Sequence, residues 1–66
     1  MNLFYSNNIV NDMILLSKSE SHHCMHVLRN NINDSITILD GVGGKHTCEI
    51  INFNKKEVRA QIIETI

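Results

Sequence analysis

All three glycines of the 66-residue chain lie in one short stretch, "DGVGGK" at positions 40–45. Glycine adopts positive φ values without a steric penalty, so this stretch is typical of a tight turn. Apolar residues alternate along 36–39 before it and along 47–53 after it. This period predicts two strands joined as a hairpin, with Asp40 organising the turn through its own side chain. The stretch lacks the spacing of a nucleotide phosphate loop, and no helical pattern follows it.

Further strands are predicted on both sides of this hairpin. After the turn "NFNKKE" at 52–57, Val58, Ala60 and Ile62 alternate with the residues between them and predict a third strand. Near the N-terminus, residues 2–5 and 13–16 read as two short strands or extended arms. They are separated by "SNNIVND", whose residue types favour turns.

One helix is predicted between the arms and the hairpin. Residues 17–20, "SKSE", match a capping box in which Ser17 accepts from the Glu20 amide and the Glu20 carboxylate accepts from the Ser17 amide. The helix is expected to run to about Arg29 and to close at "NNIND", because Asn30 and Asn31 tolerate the left-handed conformation. The predicted fold class is therefore mostly β with one helix: a small, mostly antiparallel barrel or curled sheet that the helix plugs.

Length and composition exclude several classes of protein. A chain of 66 residues forms one domain, 1–66, without room for a large enzyme core. The net charge of −1 means that any binding of nucleic acid must depend on where the charges lie. There is no signal peptide and no apolar run of roughly 20 residues, so we expect a cytoplasmic protein that does not enter a membrane. Cys24 and Cys48 are expected to be buried, reduced thiols.

The stretch "SHHCMHVLR" at 21–29 concentrates the candidate functional residues. On a helical wheel, four apolar residues fall within one arc of about 160°, the width of a stripe that faces a core. His22, His26 and Arg29 gather on the opposite face as neighbours at i, i+4 and i+7, and His23 lies on the border, half-buried. The four residues assigned to the core are Cys24, Met25, Val27 and Leu28.

Three interpretations of this polar face remain open. In the first, it is a solvated helix surface. In the second, it is a patch in which Arg29 binds a phosphate bidentately and the histidines add charge as they protonate below about pH 6.5. Alternatively, His22 and His26 hold a metal ion with His46 and Cys48. Against the metal, Cys24 points away and Arg29 adds positive charge. No pattern of nucleophile, base and orienting carboxylate supports catalysis.

The string from His22 to Ile50, "HHCMHVLRNNINDSITILDGVGGKHTCEI", resembles the N-terminal domain of the RsmE-type 16S ribosomal RNA (uridine-N3)-methyltransferases. The matching motifs are the histidine pair, Val-Leu-Arg at 27–29, Asn-Asp at 33–34, Asp-Gly at 40–41 and the strand that follows. Asn33 stands where the family usually has glycine, a replacement that the left-handed region allows. The Lys-Lys pair and the closing "IIE" also fit.

The resemblance implies a PUA-like domain that holds small-subunit ribosomal RNA for the enzyme and is inactive alone. A C-terminal SPOUT-type domain, which binds S-adenosylmethionine, dimerises and transfers the methyl group, is absent from these residues. The abrupt apolar end "QIIETI" fits a fragment, and this fragment is expected to hold no cofactor and no metal. The expected RNA-binding residues are Arg29, His22, His26, Lys45, His46 and Tyr5.

A second hypothesis assigns the domain a structural role. In that case its helix packs on the catalytic domain of the same protein, and Arg29 pairs with a carboxylate there instead of with phosphate.

Overall fold

The computed structural model describes residues 3–54 and 57–66, which form a curled, six-stranded half-barrel with one helix. The predicted fold class is confirmed. The helix, α1 (Lys18–His22), continues as a π-helical segment, His23–Val27. The strands are β1 (Leu3–Tyr5), β2 (Ile9–Val10), β3 (Met13–Leu15), β4 (Ser35–Leu39), β5 (Lys45–Asn54) and β6 (Glu57–Thr65).

The strands are arranged in the order β1-β4-β5-β6-β3-β2, and all neighbours are antiparallel except β1 and β4. The predicted hairpin is confirmed: β4 and β5 are antiparallel, and Leu39 pairs with Lys45 next to the turn that joins them. The stretch predicted as a turn at 6–12 contains a strand, β2, which pairs with β3. The turn between these two strands includes Asn11, which adopts a φ of 57°. Residues 2, 55 and 56, which belong to a predicted strand and a predicted turn, lie outside the described residues.

The chain after β1 reaches across the curled sheet to β3. The Ser6 hydroxyl donates to the Leu15 carbonyl, and the Leu15 amide donates to the Asn8 carbonyl. The inward faces of the strands then enclose one apolar core, whose fully buried side chains include Ile14, Leu16, Ile36, Ile38, Ile50 and Val58.

Both cysteines lie in this core, as predicted, and neither forms a disulfide. Burial raises the pKa of the Cys48 thiol to about 11, and it also raises the pKa of Cys24. Both side chains are therefore neutral at pH 7 and serve as small apolar residues.

The helix is anchored to β6 by a buried serine. The Ser21 hydroxyl accepts from the Val58 amide at 2.8 Å and donates to the Leu16 carbonyl at 3.3 Å. Half of the predicted capping box is confirmed, because Ser17 Oγ accepts from the Glu20 amide at 3.2 Å. The other half is wrong: the Glu20 carboxylate accepts from the Tyr5 amide instead, at 3.0 Å. That bond ties the helix to β1.

The second half of the helix is wider than predicted. The Leu28 amide donates to the His23 carbonyl, five residues earlier, which is the π-helical bond. A helical wheel drawn at 100° per residue assumes α-helical geometry, which this segment does not have. Val27 and Leu28, which were predicted to face the core, are therefore exposed by 56% and 39%. Cys24 is buried and Met25 packs against the core, as predicted. His23, expected half-buried, is exposed.

The helix closes one residue earlier than predicted. Arg29, at φ 56°, takes the left-handed conformation that was assigned to Asn30 and Asn31. The Asn30 amide then donates to the Cys24 carbonyl, six residues earlier, which is one residue more than the 6→1 bond of a Schellman motif spans. Asn33, at φ 78°, does adopt the left-handed conformation expected of it.

Candidate functional site

A groove of about 710 Å³ runs beside the first turns of the helix. This volume lies within the range of about 300–1,000 Å³ that is usual for small-molecule sites. Its surface is mainly apolar, and its polar side chains belong to the helix and its N-terminal cap. The lining residues are Ser17, Lys18, Ser19, His22, His26 and Phe53.

Phe53 faces this groove because β5 contains a β-bulge. Ile50 pairs with Ala60 and Asn52 pairs with Arg59, so Ile51 is an extra residue without a partner in the register. An extra residue reverses the alternation of the side chains that follow it. Phe53 therefore lies opposite the buried Val58, on the side of the sheet that carries the helix.

Three aromatic rings follow one another along the groove. The centroids of His26 and Phe53 are 5.7 Å apart in an edge-to-face arrangement, and those of His22 and His26 are 4.9 Å apart. The structure thus brings together two of the histidines singled out in the sequence. Lys18 and Phe53 were missed: Lys18 was assigned only to the helix cap, and the position of Phe53 depends on a bulge that no sequence pattern marks.

A second group of predicted residues lies at the β4–β5 turn. Asp40 organises this turn as predicted, because its Oδ1 accepts from the amides of Val42 and Gly44 at 2.9 and 2.8 Å. The hydrogen bond from the Val42 amide, followed by that from the His46 side chain, lowers the pKa of Asp40 below its ordinary value. The carboxylate is therefore charged at neutral pH and fixed within the turn.

His46 is buried at this turn, and both of its ring nitrogens are engaged within the chain. Nε2 lies 2.9 Å from Asp40 Oδ2, and Nδ1 lies 2.9 Å from Thr65 Oγ1. A carboxylate only accepts, so Nε2 carries a proton and donates to Asp40, while Nδ1 and the Thr65 hydroxyl share the second hydrogen bond. A register shift between β5 and β6 pairs Thr65 with His46, so the two side chains meet. His46 therefore braces the turn and does not lie beside Lys45 on the surface, as the sequence suggested.

Asp40, His46 and Thr65 form a carboxylate–imidazole–hydroxyl series that was not visible in the sequence. The three main grooves of the described residues are lined by other side chains. We therefore assign the series a structural role.

The remaining predicted residues are exposed. Tyr5 lies against the β4–β5 turn, where a Cβ added at Gly41 would come within 2.8 Å of the Tyr5 ring. Lys45 is the first residue of β5 and follows this turn directly. Arg29 lies at the end of the helix. Five of the six predicted residues thus fall into two groups: His22 and His26 lie in the groove, and Tyr5, Lys45 and His46 lie at the turn. Arg29 belongs to neither group.

Over the residues described, no three His, Cys, Asp or Glu side chains are grouped so as to hold a metal ion. The same part of the chain has no helix with the length and hydropathy needed to cross a membrane.

Solved structures of similar fold include RNA methyltransferases. A predicted RNA methyltransferase from Thermotoga maritima is 32% identical with a TM-score of 0.89, over 100% of this chain and 30% of its own. Ribosomal RNA small subunit methyltransferase E from Neisseria gonorrhoeae, bound to S-adenosylmethionine, is 28% identical with a TM-score of 0.80. The match covers 100% of this chain and 28% of that protein. A probable rRNA-methyltransferase from Porphyromonas gingivalis is 25% identical with a TM-score of 0.86, and the match covers 100% of this chain and 27% of that protein.

The chain therefore spans less than a third of the length of these proteins. No curated protein matches it. The family model described as the RNA methyltransferase PUA domain matches residues 16–63, which include the helix, the hairpin and most of β6. The chain belongs to the family of RNA methyltransferase PUA domains.

Proposed function

We propose that the domain binds small-subunit ribosomal RNA for a methyltransferase of the RsmE type. The observation that carries this proposal is the family match, which covers the helix with the cationic and aromatic groove. Similarity to a ribosomal RNA small subunit methyltransferase supports the choice of substrate. The proposed substrate also places the protein in the cytoplasm.

The exposed members of the predicted set are suited to this task. Arg29 offers a planar fork of donors that matches a phosphate, and His22 and His26 offer further hydrogen-bond donors in the groove. Lys45 supplies a point charge at the turn, and Tyr5 offers a flat ring for an unpaired base. His46 is left out of the contact surface because its ring nitrogens are used within the chain.

The methyl transfer itself belongs to the rest of the parent protein. In this proposal a C-terminal SPOUT-type domain binds S-adenosylmethionine, forms the homodimer and methylates N3 of a uridine, and the present domain is inactive alone. The solved chains that match are more than three times longer than this one, which leaves room for such a domain. Two linked modules bind RNA more tightly than either does, so modest affinity of this domain is sufficient.

The test is fluorescence anisotropy of a labelled small-subunit rRNA hairpin, titrated with the domain at low and moderate salt. Arg29→Gln should weaken binding at least fivefold, and salt should weaken the wild type more than this variant. Arg59→Gln is the matched control, because it removes the same charge from an exposed position on β6. Equal loss in both variants, or no binding by the wild type, would contradict the proposal.

The exposed end of the helix favours a second candidate, docking on the catalytic domain. Val27 and Leu28 project from the π-helical segment into solvent, next to Arg29, which would then pair with a carboxylate of that domain. An apolar surface left uncovered binds hydrophobic dyes. Dye fluorescence should fall when Val27 and Leu28 are replaced by glutamine and remain unchanged with Val42→Gln, an exposed apolar residue of the turn. Unchanged fluorescence in the double variant would refute docking through the helix.

A further inference from the structure

The groove has two chemically different parts. Its wall is the series of rings formed by His22, His26 and Phe53, with centroids 4.9 and 5.7 Å apart. Its rim carries the Lys18 ammonium and the hydroxyls of Ser17 and Ser19, which lie 3.4 Å from each other. A ligand that fills both parts must be flat and weakly polar at one end and anionic at the other.

The rim is arranged to accept an anion. Ser17 Oγ accepts from the Glu20 amide, and one of the two serine hydroxyls donates to the other, so the pair keeps one proton for a further acceptor. The nearest acidic side chain on the helix, Glu20, is turned away: it accepts from the Tyr5 amide and lines the neighbouring groove together with Glu57. Lys18 therefore faces the groove without a carboxylate lining the same surface.

The wall is suited to a nucleobase. Phe53 is half-buried and packs against the core, so its ring is held in place while part of it remains accessible. Stacking of a base on an aromatic side chain depends on such a fixed ring and tolerates any base, because every base has a π-face. A bare phosphate would leave this apolar surface unused.

We propose that the groove binds one unpaired nucleotide, with its base against His26 and Phe53 and its phosphate at Lys18 and Ser19. This inference rests on the proposed function, since it takes RNA as the ligand, and it adds that the RNA is single-stranded at the point of contact. Bases within an A-form helix are stacked on each other and cannot offer a face to the wall.

The test compares a hairpin RNA with a fully paired RNA of the same number of phosphates. The wild-type domain should prefer the hairpin, and Phe53→Leu, which keeps an apolar side chain but removes the ring, should lower affinity for the hairpin about fivefold or more. Affinity for the paired RNA should not change. Ile51→Leu, at the neighbouring exposed residue of β5, is the matched control.

A second variant and a spectroscopic signal guard against misfolding of Phe53→Leu. His26→Gln alters an exposed side chain of the wall and should lower the preference in the same way. A 2-aminopurine placed in the hairpin loop should lose fluorescence when it stacks in the wild-type groove and should keep it with His26→Gln. Lys18→Gln should weaken binding but leave the quenching of the bound RNA in place.

The two proposals fail in different ways. If the wild type binds neither RNA, the proposed function is wrong, and this inference falls with it. If the wild type binds the hairpin, but Phe53→Leu and His26→Gln keep its affinity and its quenching, RNA binding stands and the nucleotide site in the groove is refuted.

Discussion

Arg29 has an unusual backbone conformation for its residue type. At φ 56° it occupies the left-handed region, which costs a residue with a Cβ roughly 1–2 kcal/mol. Glycine avoids this cost and is the residue that most often closes helices in this way. An arginine at this position therefore suggests that its side chain is retained for contacts outside the domain.

Replacing Arg29 by glycine should stabilise the domain, against the usual effect of glycine. Relief of the left-handed strain outweighs the backbone entropy that glycine loses on folding, which leaves a gain of about 0.5–1 kcal/mol in the free energy of unfolding. Urea denaturation followed by circular dichroism measures this change. Leu28→Gly, at the preceding residue with φ −87°, is the control and should destabilise the domain. A loss of stability in Arg29→Gly would show that the guanidinium makes contacts within the fold.

Asp40 should make stability depend on pH in the acidic range. Its pKa is lowered from 3.8 in the folded state, so its stabilising effect is complete above the unfolded-state value and is lost as the pH falls through the folded-state pKa. The melting temperature of the wild type should therefore drop below about pH 4. Asp40→Asn should show a smaller drop, and Asp12→Asn, at the exposed β2–β3 turn, should behave as the wild type does. Equal drops in all three would contradict this role.

The helix depends on one buried hydroxyl for its position on the sheet. Ser21→Ala removes the acceptor of the Val58 amide, which is buried beside it, and leaves that N–H without a partner. Such a loss costs about 1–3 kcal/mol. A lower urea midpoint with an unchanged m-value is the expected result. Ser19→Ala, at an exposed position of the same helix, should change stability much less, and equal effects would show that the amide finds another partner.

Elements with a regular period were predictable from the sequence, and irregular ones were not. Strands β4, β5 and β6 and the start of the helix follow from local alternation, turn chemistry and capping. The π-helical turn and the bulge at Ile51 each shift a run of side chains, and they alone decide that Val27 is exposed and that Phe53 faces the groove. Both irregularities are set by packing between elements, which local patterns do not report.

The whole molecule carries a net charge of −1, so its affinity for RNA must come from a few placed cations. Each phosphate neutralised on a single strand contributes about −0.7 to the slope of log K against log salt concentration. Contacts through Lys18, Arg29 and Lys45 therefore predict a slope of about −2 at pH 8, measured by anisotropy with the hairpin RNA. Arg29→Gln should bring the slope to about −1.4, while Phe53→Leu should weaken binding without changing it. A slope unaffected by Arg29→Gln would mean that this arginine does not reach a phosphate, and docking of the helix on the catalytic domain would then be the better account of its position.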